Sequence, residues 1–169
     1  MAEFVRSGLG SLFVPHIVLD HISELDPRIL LELGRPAVLV DLDNTLLTWG
    51  QQELDPEVTT WVTDGLAAGL KLCMLSNTRS HRAATYAERL GIPYVGRALK
   101  PRRGAARNAM KKLGSRPEGT AIVGDQLFTD VLLGKRLGLY TILVKPHNLK
   151  EQMWMRMVRR VERVFWPSS

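Results

Sequence analysis

A buried-strand pattern in the first third of the chain ends in two closely spaced acids. The segment reads Val38-Leu39-Val40-Asp41-Leu42-Asp43, followed by Asn44 and Thr45. Carboxylates crowded at the end of a buried strand repel each other, and a divalent cation between them relieves that repulsion. The pattern therefore indicates a metal-assisted site, although Asp-x-Asp-Asn is equally good chemistry for a surface turn that closes a strand.

Three later segments also place polar residues after an apolar run. Ser76-Asn77 follows 72–75, Lys100-Pro101 follows Tyr94-Val95, and Gly124-Asp125 follows 121–123, with Asp130 five residues further on. In a parallel open sheet, ligands bind outside the carboxyl ends of the strands. We therefore expect all these polar residues to converge on one crevice.

Short apolar runs alternate with helical stretches along the chain, which predicts an α/β fold with a central parallel sheet between two layers of helices. The predicted strands are 37–41, 71–75, 94–95, 120–123 and 140–144, and the predicted helices are 55–68, 80–90, 102–113 and 129–137. Only one helix fits between Asp41 and Ser76, so we expect no inserted cap domain. A chain of 169 residues fits a single domain, with an extension over 1–14 and a further helix over 151–166.

Composition favours a cytoplasmic protein with an anionic partner. No apolar run approaches the roughly 20 residues of a membrane span, the amino end lacks a signal-peptide pattern, and the single cysteine, Cys73, lies in an apolar run. The net charge of +6 is concentrated in one cluster over 102–112 and another over 145–163. Such clusters suit lipid head groups or nucleic acid, or are simply solvated helix faces.

The predicted helix over 151–166 is amphipathic and basic. Its apolar residues recur at helical spacing, and Arg156, Arg159, Arg160 and Arg163 occupy the other side. Three interpretations stay open: packing of the apolar face on the domain, self-association into a homo-oligomer, or peripheral docking on an anionic membrane.

The polar segments, in their order along the chain, resemble the four motifs of the haloacid dehalogenase-like (HAD) phosphohydrolase superfamily. The segment Gly124-Asp125-Gln126-Leu127-Phe128-Thr129-Asp130 is the most specific of them. Within that superfamily, the chain from about Pro15 onward resembles the capless subfamily IIIA, and there the YqeG type, which is similar to phosphatidylglycerophosphate phosphatases. The resemblance implies a Rossmann-like HAD core without a cap.

The resemblance also implies catalytic roles for five side chains. Asp41 would be the nucleophile that forms an aspartyl-phosphate, and Asp43 would protonate the leaving group and later activate water. Ser76 and Asn77 would hydrogen-bond the transferring phosphoryl group, while Lys100 would bridge that group and Asp41.

The implied cofactor is Mg²⁺, a hard cation that takes oxygen ligands. Its expected ligands are Asp41, the main-chain oxygen of Asp43, and Asp125. Asp130 is expected to act on the metal site at one remove, through water or by orienting Lys100, although an acid at a helix start is an ordinary partner for the helix dipole.

The resulting functional expectation is Mg²⁺-dependent hydrolysis of a phosphomonoester, with phosphatidylglycerophosphate or a related lipid as the substrate that the resemblance suggests. An open, capless site on a basic protein suits a phosphate carried on something too large to enclose. The alternatives are a phosphatase for nucleic-acid ends or phosphoproteins, and a low-turnover module that binds RNA or ribosomes. The lipid hypothesis extends the cytoplasmic location to the inner face of the membrane.

Overall fold

A computed structural model describes residues 9–48, 50–77 and 81–145 of the chain. Within these residues, six parallel strands form one sheet in the order β1-β6-β5-β2-β3-β4. The strands are β1 Ile17–Leu19, β2 Ala37–Val40, β3 Lys71–Leu75, β4 Tyr94–Val95, β5 Thr120–Gly124 and β6 Tyr140–Val144. The helices are α1 Pro27–Glu32, α2 Pro56–Ala68, α3 Arg82–Arg89, α4 Arg103–Leu113 and α5 Leu132–Leu137. Short 3₁₀ turns cover Leu9–Phe13, Ile22–Glu24 and Pro117–Gly119, and a π-helical turn, Leu127–Val131, precedes α5.

Each face of the sheet packs on its own set of helices. Side chains alternate along a strand, so Val38 and Val40 of β2 join one core, with α1, α2 and α3, while Ala37 and Leu39 join the other, with α4 and α5. All four β2 residues are fully buried. This arrangement confirms the predicted three-layer α/β fold with a central parallel sheet.

The α5 layer approaches the sheet unusually closely at Gly134. A Cβ atom there would lie 2.4 Å from Thr141 Cγ2 and 2.5 Å from Ile122 Cγ2. Any larger residue would have to push α5 away from β5 and β6, so glycine at this position fixes how closely the two layers pack.

The predicted elements agree with the structure except near the amino end and before α5. β1 and α1 were absent from the sequence prediction, and the helix predicted over 129–137 is α-helical only from Leu132, after the π-helical turn. The predicted helix over 151–166 and the first eight residues of the predicted extension lie outside the described residues. Among the residues that the structure does describe, no helix is both long and apolar enough to cross a bilayer.

Candidate active site

The predicted site residues gather at the carboxyl edge of the sheet, around its central strand. Asp41 directly follows β2, Ser76 follows β3, and Asp125 follows β5; β2 lies between β3 and β5. Parallel strands end at the same edge, which explains why residues 35 to 84 positions apart in the sequence meet there. All three side chains are buried at this polar edge.

Lys100 joins two of the carboxylates at this edge. Its Nζ lies 2.8 Å from Asp41 Oδ1 and 2.6 Å from Asp130 Oδ1. Burial raises the pKa of Asp41 to about 7, against the opposing effect of the Lys100 ammonium. Burial also disfavours the charged form of Lys100, but the Asp130 and Asp41 carboxylates outweigh it and raise the lysine pKa, so Lys100 stays protonated.

The loop between β4 and α4 holds Lys100 in place. The Lys100 main-chain N–H donates a 2.7 Å hydrogen bond to Asn77 Oδ1, and the following Lys100-Pro101 peptide bond is cis. Asn77 is exposed, and its side chain ties the end of the β3 segment to the lysine loop. In this structure Asn77 therefore positions Lys100, in addition to the phosphate-binding role predicted for it.

Asp130 is oriented by the π-helical turn in which it lies. Its Oδ2 accepts hydrogen bonds from the Gln126 N–H at 3.2 Å and from the Thr129 hydroxyl at 3.3 Å, which leaves Oδ1 for Lys100. Gly124 makes room for this side chain, because a Cβ atom there would lie 2.2 Å from Asp130 Cγ. The Asp130 carboxylate thus lies in direct contact with Lys100, 2.6 Å from its Nζ.

Three buried carboxylates at this edge can hold a metal ion. One oxygen each from Asp41, Asp125 and Asp130 lies within 4.8 Å of the others. Asp125 Oδ2 also accepts a 3.1 Å hydrogen bond from Asn44 Nδ2, and Asn44 reaches it from a left-handed backbone conformation, with φ of 58°. Three such carboxylates beside one ammonium group carry an excess of buried negative charge, so the donor set fits a divalent, oxygen-preferring cation.

Asp43 and Ser76 occupy different environments at the site. Asp43 lies at the rim, about one third exposed, with its Oδ1 3.5 Å from Arg82 Nη1. Ser76 is buried; its N–H donates to the Val95 carbonyl, and its own carbonyl accepts from the Ala98 N–H. Asp43 can therefore exchange protons with solvent, while Ser76 is fixed in the floor of the site.

Sequence reasoning left three contributors to the site without a role. Asn44 contacts Asp125, and Gly124 accommodates Asp130. Both residues lie inside the sequence motifs quoted above, and that location is the signal from which a role could have been predicted. Arg82, which lies beside Asp43, carries no such signal, because an arginine at the start of a helix is ordinary. Thr45 Oγ1 is buried and has no hydrogen-bond partner among the described residues.

Comparison with known proteins agrees with this geometry. The HAD-hydrolase-like family matches residues 98–161. The chain is 34% identical to the probable phosphatase YqeG of Bacillus subtilis over 92% of its own length and 90% of that protein. It is 30% identical to the chloroplastic phosphatidylglycerophosphate phosphatase 1 of Chlamydomonas reinhardtii, covering 94% of this chain and 62% of that protein.

A solved structure supports the fold. The putative HAD superfamily (subfamily III A) hydrolase from Legionella pneumophila superposes with a TM-score of 0.51 at 16% identity, covering 82% of this chain and 91% of that one. The sequence relationship to the Bacillus protein spans nearly the whole of both chains. The chain therefore belongs to the YqeG family of HAD-type phosphatases and is a phosphomonoester hydrolase.

Proposed function

We propose that the protein hydrolyses a lipid-borne phosphomonoester, phosphatidylglycerophosphate or a close relative, through an aspartyl-phosphate on Asp41 and with the help of Mg²⁺. The observation that carries this proposal is the position of Lys100, which lies between Asp41 and Asp130 at the edge where Asp125 completes a group of buried carboxylates.

The proposed reaction has two displacement steps. In the first, an Asp41 oxygen attacks phosphorus, the bond to the substrate oxygen breaks, and Asp43 gives that oxygen a proton. In the second, Asp43 takes a proton from water, the water oxygen attacks phosphorus, and the bond to Asp41 breaks to release inorganic phosphate. Lys100 neutralises charge on the transferring phosphoryl group, and Ser76 and Asn77 hydrogen-bond its oxygens.

The carboxylate-rich edge supports Mg²⁺ as the cofactor. Asp41, Asp125 and the main-chain oxygen of Asp43 would hold the ion, with Asp130 acting at one remove through Lys100. The bound ion would supply charge neutralisation for the phosphoryl oxygens. Attack by Asp41 needs its ionised form, and a neighbouring dication favours that form over the protonated one that burial favours.

Two observations support a lipid as the substrate. The Chlamydomonas relative, at 30% identity, is named for phosphatidylglycerophosphate. Moreover, the described residues between β2 and α2 hold no inserted domain that could enclose a small substrate. Such a substrate implies a protein on the cytoplasmic side that visits the membrane surface peripherally.

The second candidate function is a phosphatase for nucleic-acid ends, which a basic groove on the protein favours. The groove lies between α4 and α5 and has a volume of about 670 Å³; its cations are Arg103, Arg107, Lys111, Arg116 and Arg136. A polyanion would suit this charge. No aromatic side chain lines the groove among the described residues, so it offers no platform for stacking bases.

The direct test is a panel of lipid, nucleic-acid and phosphopeptide monoesters, with Mg²⁺ and with excess chelator. We expect turnover of phosphatidylglycerophosphate in detergent micelles that chelation stops and Mg²⁺ restores. Asp41→Asn should abolish it, whereas Asp64→Asn, at an exposed site on α2, should not. Turnover by folded Asp41→Asn protein would remove the nucleophile assignment, and preference for an oligonucleotide end would remove the lipid assignment.

A further inference from the structure

We infer that the rim of the active site is a surface that docks on an anionic bilayer, with Leu99 and Phe128 as its apolar contacts and Arg97 and Arg102 as its cations. This inference rests on the proposed lipid substrate, and it identifies the surface through which the enzyme would contact the membrane that carries that substrate.

The loop that carries Lys100 has an inner and an outer side. Ala98 and Lys100 are buried, whereas Arg97 and Leu99 point outward, and Leu99 is 51% exposed. Both outward residues have left-handed backbone conformations, with φ of 51° and 50°. Such conformations are unfavourable for residues with bulky side chains, and leucine has no polar group to compensate. The backbone is therefore held in a costly shape that places an apolar side chain in water directly beside the catalytic lysine.

A second apolar side chain emerges from the π-helical turn that carries Asp130. Phe128 is 46% exposed and stands two residues before Asp130, whose carboxylate lies 2.6 Å from Lys100 Nζ. The Phe13 ring supports it, with the two ring centroids 5.2 Å apart. Val14, next to Phe13, is 59% exposed. The loop that carries Lys100 and the π-helical turn that carries Asp130 thus both present apolar side chains to solvent.

Cations accompany these apolar groups. Arg97 and Arg102 are exposed on the same loop and Arg103 is exposed at the start of α4, and within the described part of the chain none of them forms an ion pair with a carboxylate. A surface that combines exposed leucine and phenylalanine with unpaired arginines matches the interface of an anionic bilayer, where apolar side chains enter the acyl boundary and cations meet the head groups. A second copy of this chain would bring the same cations against each other.

Not every exposed apolar residue lies at the active-site rim. Leu66, for example, is 38% exposed but lies in the last turn of α2, which leads to the amino end of β3 at the opposite edge of the sheet. Singly exposed apolar residues of this kind are common and need no partner. Leu66 therefore provides a matched control for Leu99.

The test is flotation of the full-length protein with vesicles of phosphatidylglycerol and phosphatidylcholine, or of phosphatidylcholine alone. We expect binding only to the anionic vesicles. The double variant Leu99→Asn/Phe128→Ser should weaken that binding by at least about tenfold, and Arg97→Gln/Arg102→Gln should weaken it in a salt-dependent way. Asparagine tolerates the left-handed conformation at position 99, and Leu66→Asn should bind like the wild type.

Three outcomes would overturn the inference. One is equal flotation of the wild-type and rim variants, each shown to be folded by thermal unfolding. Another is binding that depends only on Arg156, Arg159, Arg160 and Arg163, tested by their glutamine variant. The third is a dimer in sedimentation experiments that the Leu99→Asn/Phe128→Ser variant disrupts. Turnover in micelles reports on the proposed function separately, because it requires no vesicle docking.

Discussion

Two lysines in the described part of the chain contact aspartates at similar distances but in opposite environments. Lys100 Nζ lies 2.8 Å from Asp41 and 2.6 Å from Asp130, with all three side chains at most 7% exposed. Lys145 Nζ lies 2.5 Å from Asp20, but these side chains are 41% and 66% exposed. Water and salt screen the exposed pair, so it contributes little to stability, whereas the buried group of Lys100 and its two aspartates cannot lose a member without leaving a buried charge uncompensated. Distance alone therefore says nothing about what an ion pair does.

The largest expected effect is that of Lys100→Met. The variant leaves Asp41 and Asp130 without their shared cation, so we expect about 3 kcal/mol less unfolding free energy in metal-free protein at pH 7. Turnover should fall by about 10²–10³-fold. Lys145→Met is the matched control and should change the unfolding free energy by less than about 1 kcal/mol. Urea unfolding and steady-state kinetics measure both quantities, and equal destabilisation by the two variants would contradict the comparison.

A pair of glycine variants separates packing from catalysis. Gly124→Ala and Gly134→Ala each add a Cβ atom where the structure has no room for one. The added atom would lie 2.2 Å from Asp130 Cγ at position 124 and 2.4 Å from Thr141 Cγ2 at position 134. Each should lower the unfolding free energy by about 1–3 kcal/mol.

Only Gly124→Ala should also reduce kcat per folded molecule, because only that change displaces the carboxylate that orients Lys100. Unfolding curves give the folded fraction for each variant, against which kcat is scaled. A similar loss of scaled kcat in Gly134→Ala would mean that the site responds to packing in general.

The same residues show what sequence could and could not predict. From the sequence alone, Asp41, Lys100, Asp125 and Asp130 were expected to lie together, since the strands of a parallel sheet all end at the same edge. The sequence could not predict the bond from the Lys100 N–H to Asn77, because that contact depends on the path of the loop between β4 and α4.

Local signals failed where elements are short. α2 was predicted from Asp55-Pro56 and 13 residues of helical pattern; α1 begins with the same Asp-Pro cap, at Asp26-Pro27, but has only six residues in which a period could appear. β1 lies at the edge of the sheet and has only three residues, which is too few to show an alternation of apolar and polar side chains. The π-helical turn before α5 contains Asp130, and the contact of Asp130 with Lys100 is a tertiary interaction that the local sequence does not show.

Proton binding by Asp41 gives a third expected effect. The folded-state pKa of Asp41 is raised to about 7 from an ordinary value of 3.8, chiefly by burial. A raised carboxyl pKa means that the folded protein binds the proton more tightly than the unfolded chain does. This contribution to stability is therefore complete below about pH 3.8 and is lost as the pH rises towards 7.

We accordingly expect the stability difference between metal-free wild type and Asp41→Asn to shift in favour of the variant between pH 4 and pH 8. Saturating Mg²⁺ should reverse the shift, since the ion binds the deprotonated carboxylate. Chemical unfolding across this pH range, with Asp64→Asn as an exposed control, measures it. A difference that stays flat with pH would mean that Asp41 titrates as it would in water.

The smallest expected effect tests the exposed pair. A double-mutant cycle on Asp20→Asn and Lys145→Met should give a coupling free energy of about 0.2–1 kcal/mol at low salt. Because both side chains are solvated, 1 M salt should reduce the coupling towards zero, since the Debye length there is about 3 Å. The coupling between Lys100 and Asp130, measured in the same way with Asp130→Asn, should persist in high salt, because ions do not reach a pair whose side chains are 2% exposed. Similar salt dependence for the two pairs would show that the active-site edge is wet in solution and would remove the basis for the raised pKa of Asp41.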